Sequence, residues 1–227
     1  MTRTEFSIYR NIYVGAMRRA LREARSPSLD EAAFPAYSHG QPLINYLFWQ
    51  RLKKVFDYLE KMRFASALDF GCGSGVALQF LSRISKCVIA ADVDLLPLDR
   101  MRSQIPLPQN VEVCDLNKRG VQDFEPSSFD LVLALDVLEH VADLGQTLRD
   151  LVRVIAPGGM IIVSGPTENL FYRMGRKLAG REFTGGYHVR SVQEIRQELV
   201  KFVPVQPVAT LYYPVPLFEI FCGLVSP

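Results

Sequence analysis

Residues 67–75 read Ala-Leu-Asp-Phe-Gly-Cys-Gly-Ser-Gly, an apolar run that ends in an acid and leads into three alternating glycines. Glycine tolerates a positive φ and has no Cβ. A turn built from Gly71, Gly73 and Gly75 therefore lets a ligand lie directly against the main chain at the start of a helix. The spacing is G-x-G-x-G, whereas the phosphates of a dinucleotide are held by G-x-G-x-x-G. The stretch predicts a strand, a tight turn and a ligand site.

Outward from this turn, strand-like and helix-like segments alternate from residue 65 onward. This order predicts a mostly parallel sheet with right-handed crossovers. The final two apolar runs are separated by only three residues, which is too short for a crossover, so they should form an antiparallel hairpin. The predicted fold is a Rossmann-like, doubly wound α/β sheet of seven strands, preceded by a helical extension. The strands are expected at 65–70, 86–92, 111–114, 129–135, 160–163, 205–213 and 217–225.

Helical periodicity and capping residues place the helices between these strands. Helices are expected at 75–84 and 97–105. A third should start after the N-cap Asp143, carry apolar residues through Ile155 and stop at Pro157. A fourth should open with a capping box that begins at Ser191. Two amphipathic helices are expected in residues 1–64, with a loop at 27–42 between them.

Acidic residues stand at four successive strand ends, where an α/β sheet binds its ligand. They are Asp69, Asp92, Asp115 and Asp136. Asp92 follows Gly71 by 21 residues, the offset at which an acid accepts hydrogen bonds from ribose hydroxyls. The acids and the glycine turn together predict a nucleoside-containing ligand. A nicotinamide-dependent oxidoreductase remains an alternative at this point, although the third glycine comes one residue early for that class.

Six segments in order resemble the class I S-adenosylmethionine-dependent methyltransferases, in particular the small-molecule branch that includes the ubiquinone-biosynthesis O-methyltransferases. The segments are LDFGCGSG, AADVD, VCDL, FDLVLALDVLEHV, APGGMIIVSGP and YHVRSVQEI, and they span roughly residues 65–225. The resemblance implies S-adenosylmethionine as cofactor. It also implies methyl transfer to a small or medium-sized metabolite, with an anionic or lipid-like acceptor left open. A binding protein that keeps the fold without turnover is the other alternative.

The resemblance assigns one group of residues to the methionine end of the cofactor. Their backbone amides and carbonyls, together with one acid, would lie near its charged groups. Leu135 would contact the same end through its backbone. The residues at the glycine turn that carry over are Asp69, Gly71, Cys72 and Gly73.

The resemblance assigns a second group to the nucleoside. Asp92 would bind the two ribose hydroxyls, and Val93 would pack on the face of the adenine. Asp115 would meet the adenine edge as a side-chain acceptor, and Leu116 would meet it as a backbone donor. These assignments place the end of the second strand and the residues after the third strand at the cofactor.

An acceptor that reacts through a hydroxyl must lose a proton, and a histidine near neutral pKa could take it, for about 10²–10⁴-fold in rate. The chain has three histidines, so a histidine base must be His140, His39 or His188. We expect His140, which follows the fourth strand; the alternative is that, at the start of a helix, it only shapes the wall of the site. Residues 1–64 lie outside the α/β repeat and are expected to form a helical extension or lid, and by the resemblance residues 65–227 form the methyltransferase domain. Within that domain, 166–190 is a substrate lid.

Composition limits the partners and the compartment. No apolar run approaches the 18 residues of a membrane span, and no secretory leader is recognisable, so we expect a cytoplasmic protein. The four cysteines show no C-x-x-C pairing or metal-ligand spacing, which predicts neither a disulfide framework nor a metal site. No nucleic-acid partner is expected. Residues 1–63 hold 11 Lys and Arg against 6 Asp and Glu, which leaves peripheral contact with an anionic membrane open.

Overall fold

A seven-stranded sheet lies at the centre of the fold, as the sequence predicts. The structure is a computed structural model, and it describes residues 1–23, 26–31, 34–167, 190–212 and 216–227. The strand order is β3-β2-β1-β4-β5-β7-β6, and β7 runs antiparallel to both of its neighbours. The strands are β1 (Phe64–Phe70), β2 (Ser85–Asp92), β3 (Val111–Asp115), β4 (Phe129–Leu135), β5 (Ile155–Pro166), β6 (Val205–Leu211) and β7 (Phe218–Leu224).

Helices precede the sheet and connect its strands. Within the described ranges, no helix is long and apolar enough to cross a membrane. A short 3₁₀ turn at Val121–Asp123 precedes β4. The helices are α1 (Arg3–Glu23), α2 (Pro27–Glu31), α3 (Phe34–Tyr37), α4 (Pro42–Leu59), α5 (Leu78–Ile84), α6 (Leu96–Arg102), α7 (Leu144–Val154) and α8 (Val192–Leu199).

The two faces of the sheet are covered by different helices. Successive residues of a strand point to opposite faces, so Ala67 lies in one apolar cluster and Leu68 in the other. The first cluster joins that face of the sheet to all six helices from α1 to α6. The second cluster joins the opposite face to α7 and α8. The N-terminal helices therefore share a continuous core with the sheet, with Trp49 and Phe56 completely buried between them.

Both predicted helix caps are present. The Asp143 carboxylate accepts from Gln146 N–H at 2.9 Å and starts α7. Ser191 and Glu194 form the reciprocal capping box that starts α8. The expected end of the first of these helices is wrong, because α7 stops at Val154. Ile155 is already extended and pairs with Phe129, which makes β5 longer than predicted.

Two further sequence predictions differ from the structure. The helix after the glycine turn begins at Leu78, not at residue 75, because Gly75 has a φ of 72° and still belongs to the turn. The expected loop at 27–42 contains the short helices α2 and α3. Pro27 starts α2, where its missing N–H has no helical partner to lose. Phe34 starts α3 with its side chain completely buried, so apolar burial holds this segment against the core.

Candidate active site

The glycine turn joins the end of β1 to α5 with a backbone that only glycine adopts easily. Gly71, Gly73 and Gly75 have φ values of 73°, 49° and 72°. The N–H groups of Gly71 and Cys72 donate to the carbonyl of Ala91 at the end of β2, at 2.8 and 3.1 Å. The turn therefore lies against the carboxyl ends of both strands.

Asp92 fixes the turn from the end of β2. Its carboxylate accepts from Gly73 N–H at 2.8 Å and from Asp94 N–H at 3.1 Å. Burial raises the pKa of this carboxyl group, while the backbone donors act in the opposite direction. A carboxylate has about four acceptor positions, so two remain for a ligand. Asp92 thus both shapes the turn and presents an acceptor beside it.

Asp69 lies beneath the turn and is only 4% exposed. Burial, followed by the nearby charge of Asp92, raises the pKa of Asp69 to about 7. A cation placed at this point would stabilise its ionised form. Burial raises the pKa of the Cys72 thiol well above its usual value, so this side chain acts as a small apolar group.

At the ends of β2 and β3, the exposed apolar side chain of Val93 lies near two acids, Asp92 and Asp115. Val93 is 64% exposed, directly after the buried end of β2. Asp115 accepts from the Asn117 backbone and pairs with Lys118, and these contacts lower its pKa. The predicted donor role of Leu116 differs from the structure, because its N–H is given to the carbonyl of Asp92 at 2.9 Å. The β2–β3 ladder uses that donor.

Two tyrosines of α1 close the outer side of the glycine turn. Tyr13 Oη donates to the carbonyl of Gly75 at 3.2 Å, and Tyr9 Oη donates to the carbonyl of Val76. The two rings stack with centroids 4.9 Å apart. Burial raises the pKa of Tyr13 to about 12, so its hydroxyl stays protonated as a donor. In the sequence these residues mark only the apolar face of a helix, and nothing in that period indicates their hydroxyl partners.

A buried arginine from α4 reaches the end of β4. Arg51 is 4% exposed and forms an ion pair with Asp136, whose backbone φ is 54°. Arg51 Nη2 also donates to Tyr37 Oη at 3.0 Å. Its guanidinium lies over the rings of Phe48 and Phe218, at 5.4 and 4.9 Å from their centroids. We call Arg51, Tyr37 and Asp136 the Arg51 cluster.

The Arg51 cluster is adjacent to the glycine turn. Val137, the next residue after Asp136, is the side chain nearest to the position that a Cβ on Gly71 would take. The sequence drew attention to Asp136 as a strand-end acid but gave no sign of Arg51. A lone arginine in the basic N-terminal segment looks like a surface residue until the fold buries it.

Two of the three histidines, His140 and His39, lie in turns of the described part of the chain. His140 is exposed and lies in the turn before α7, not at the start of a helix. Its backbone N–H donates to the carbonyl of Val137 at 3.0 Å. His39 Nδ1 accepts from Gln41 N–H at 3.0 Å in the turn before α4. His188 and most of the predicted substrate lid at 166–190 lie outside the described residues. Leu135 is half-buried where β4 ends, opposite Ser164.

A family model described as a methyltransferase domain matches residues 68–163. The chain carries a class I S-adenosylmethionine-dependent methyltransferase domain. The match starts in β1, includes the glycine turn and the four strand-end acids, and ends in β5. The methyltransferase domain therefore contains every strand end that the sequence marked as part of the site.

Curated relatives match about half of the chain. The chain is 29% identical over 126 residues to a ubiquinone biosynthesis O-methyltransferase of Pseudomonas fluorescens, covering 53% of this chain and 54% of the relative. It is 34% identical over 119 residues to the enzyme of that name from Xanthomonas euvesicatoria, covering 50% and 48%. The chain thus spans about half the length of the curated relatives it matches.

A solved structure shares the fold over more of the chain. It is the N-methyltransferase NodS from Bradyrhizobium japonicum in complex with S-adenosyl-L-homocysteine, with a TM-score of 0.63 and 14% identity. The match covers 93% of this chain and 99% of NodS. It supports the arrangement of the sheet and helices in the methyltransferase domain.

In the described residues, no group of three or more His, Cys, Asp or Glu side chains could hold a metal ion.

Proposed function

We propose that this protein transfers a methyl group from S-adenosylmethionine to a small or medium-sized metabolite. The observation that carries the proposal is the Asp92 carboxylate, which the N–H of Gly73 holds at 2.8 Å beside an exposed Val93. Together they offer acceptors for a ribose and an apolar surface for a base. Residues 1–64 and 166–190 are the proposed covers of this site, and 65–227 the proposed catalytic domain.

We assign the methionine end of the cofactor to the glycine turn. Gly71, Cys72 and Gly73 supply a backbone that a ligand can approach, since no Cβ projects from the glycines. Asp69 lies beneath them as the nearby buried acid. The backbone of Leu135 borders the same space where β4 ends. Asp69 supplies a negative charge there once the cation of an amino-acid ammonium is close.

We assign the nucleoside to the edge formed by β2 and β3. Asp92 keeps acceptor positions for two ribose hydroxyls. Val93 supplies the apolar face on which adenine packs, and burying its side chain removes an exposed apolar patch from water. Asp115 remains the acceptor for the exocyclic amine. Leu116 borders the base by its position, without the donor role predicted from sequence.

When bound, the cofactor supplies a sulfonium methyl group. The acceptor's lone pair would attack the methyl carbon in line, and the thioether sulfur would leave with the C–S electron pair. The protein's main contribution is alignment of the acceptor with that methyl group. An acceptor hydroxyl must also lose a proton, and we keep His140 as the proposed base, with His39 and His188 as the alternatives. The names of the curated relatives support an oxygen acceptor on a lipid-like metabolite.

Isothermal titration calorimetry on the full chain tests the cofactor assignment. We expect S-adenosylmethionine and S-adenosylhomocysteine to bind with Kd values in the micromolar range. Val93→Asp should weaken both about 10-fold or more, through lost apolar contact and an added charge near Asp92. Val200→Asp is the matched control, because Val200 is 56% exposed on the turn after α8. Equal effects of the two substitutions would contradict the adenine site.

Three further measurements on the full chain distinguish the methyltransferase from the oxidoreductase and from a binding protein. Binding of NADH in a fluorescence titration, without binding of S-adenosylhomocysteine, would favour the oxidoreductase. Cofactor binding without methyl transfer to any member of a broad acceptor panel would favour a binding protein that keeps only the fold. Transfer of a labelled methyl group from S-adenosylmethionine to a small molecule would establish the enzyme.

A further inference from the structure

The Arg51 cluster joins three parts of the chain where β4 ends. Tyr37 comes from α3, Arg51 from α4, and Asp136 from the residue after β4. Asp136 N–H donates to the carbonyl of Ser164 at 3.0 Å, which ties the same point to β5. Val137 packs against Gly71, so the cluster borders the methionine end of the proposed cofactor site. An acceptor that reaches the methyl group must approach this edge of the sheet.

Burial differs between the two charged members of the cluster. The side chain of Arg51 is 4% exposed, whereas that of Asp136 is 22% exposed. The hydroxyl of Tyr37 and the rings of Phe48 and Phe218 surround the guanidinium. The group that the pair presents outward is therefore the carboxylate, and the arginine lies behind it.

The charges of the cluster favour a neutral ligand. Arg51 and Asp136 cancel each other, so an added anion would face the carboxylate with the only cation of the cluster already paired. An added cation would stand close to the positive sulfonium of a bound cofactor. A neutral hydroxyl or amine avoids both costs and can donate to the free acceptor positions of the carboxylate.

The backbone supports a functional role for this carboxylate. Asp136 has a φ of 54°, which non-glycine residues adopt rarely and which clusters at binding and catalytic sites. The side chain of Asp136 pairs with Arg51 of α4.

We propose that Asp136 accepts a hydrogen bond from a neutral hydroxyl or amine on the methyl acceptor, and that Arg51 is the positioning residue that holds the Asp136 carboxylate. This inference rests on the proposed methyl transfer. It specifies the class of acceptor as an apolar molecule with a neutral O–H or N–H group at the reacting position. The half-buried Phe48 supplies apolar surface beside that group, whereas Phe218 is buried behind it around the guanidinium.

Ligand binding to the S-adenosylhomocysteine complex tests the proposal with three matched probes, phenol, aniline and benzoate. Saturation-transfer NMR should detect phenol and aniline, and benzoate should bind at least 10-fold more weakly. Asp136→Asn should weaken phenol binding about 10-fold and change the affinity for S-adenosylhomocysteine less than twofold. If the wild type does not bind S-adenosylhomocysteine, that result counts against the proposed function and not against the acceptor assignment. Benzoate binding as tightly as phenol, or undetectable phenol binding, would overturn the acceptor assignment.

The role of Arg51 is tested by the pH dependence of phenol binding. Burial raises the pKa of Asp136, whereas Arg51 and the Ser164 hydroxyl act to lower it, and Tyr37 is the other titratable group of the cluster. Arg51→Gln should therefore move the acid limb of phenol binding to higher pH, and Arg51→Lys should restore it in part. Tyr37→Phe removes the hydroxyl that accepts from Arg51, and this variant replaces Arg51→Gln in the experiment if Arg51→Gln does not fold.

Lys53→Gln is the matched control for the pH experiment. Lys53 lies on the same helix and pairs with the exposed Asp57 at 2.6 Å, away from the cluster. Lys53→Gln should leave both the phenol affinity and the pH profile of phenol binding unchanged. An unchanged pH profile in Arg51→Gln and in Tyr37→Phe, with normal thermal unfolding, would overturn the positioning role.

Discussion

The carboxylate of Asp92 accepts a hydrogen bond from the backbone N–H of Gly73 at 2.8 Å. One residue thus supports the conformation of the glycine turn and, in the proposed cofactor site, presents acceptors to a ribose. The contact joins the loop after β1 to the end of β2, so the two strand ends keep a fixed spacing. Cofactor binding and turn geometry should therefore fail together when this carboxylate is changed.

Asp92→Asn tests that dependence. An amide keeps one acceptor oxygen but loses the charge, and hydrogen bonds to charged groups contribute about 1.5–3 kcal/mol. We expect S-adenosylhomocysteine to bind about 10- to 100-fold more weakly by calorimetry. Asp99→Asn is the control, because Asp99 pairs with Arg102 on the exposed side of α6. Wild-type affinity in Asp92→Asn would remove Asp92 from the ribose site.

Gly71→Ala should destabilise the protein more than Gly158→Ala. Both glycines have a similar positive φ, 73° and 78°, so the backbone strain of about 1–2 kcal/mol is shared. Only at Gly71 would the new Cβ lie 2.3 Å from Val137 Cγ2; at Gly158 it would meet nothing within 4 Å. Urea denaturation measures the difference between the variants. Val137→Ala should recover part of the loss in Gly71→Ala, and no recovery would contradict the steric explanation.

Asp69 should make the stability fall as pH rises through neutrality. Its pKa in the folded chain is about 7, against an ordinary 3.8. Between these values the native state holds a proton that the unfolded chain releases, so the free energy of unfolding decreases from about pH 4 to pH 7. Above pH 7 the buried charge remains costly. Asp69→Asn should match the wild type near pH 4 and exceed its stability at pH 8, by on the order of a few kcal/mol.

Urea midpoints at pH 4, 6 and 8 measure this effect. Asp57→Asn, at an exposed position on α4, controls for the general loss of one carboxylate. If Asp69→Asn loses stability with pH as steeply as the wild type, the dependence has another source.

Tyr13→Phe should loosen the glycine turn. The change removes the hydroxyl that donates to the Gly75 carbonyl at 3.2 Å and leaves the ring in place. Loss of one such bond costs about 1 kcal/mol, and the freed carbonyl is buried beneath α1. We expect faster hydrogen exchange at residues 71–77 and several-fold weaker binding of S-adenosylhomocysteine. Tyr46→Phe, at a side chain 49% exposed on α4, should change neither quantity.

The strand-end acids could be predicted because their positions follow from local patterns. An apolar run followed by Asp92 and a glycine turn 21 residues earlier specify a sheet edge without knowledge of any other contact. The ends of the helices were harder to predict. Ile155 fits the period of α7, yet pairing with Phe129 outweighs that period and places it in β5. Tertiary hydrogen bonding overrides local propensity at such boundaries.

The roles of the N-terminal helices could not be predicted in this way. Tyr13 and Arg51 stand 62 and 85 residues before their partners Gly75 and Asp136. Their spacing in the sequence indicates only amphipathic helices. Which polar atom a buried hydroxyl or guanidinium meets depends on how those helices pack on the sheet.

The sequence by itself determined the sheet, the glycine turn and the acids at its edge, because strand alternation, positive-φ glycines and capping residues act over a few neighbouring residues. Tertiary structure alone decided that α1 closes the turn through Tyr13 and that α4 buries Arg51 against Asp136. The physical reason is that a buried donor or charge must find its partner wherever the packed chain brings one. That requirement is met between segments far apart in sequence, where no local pattern records it.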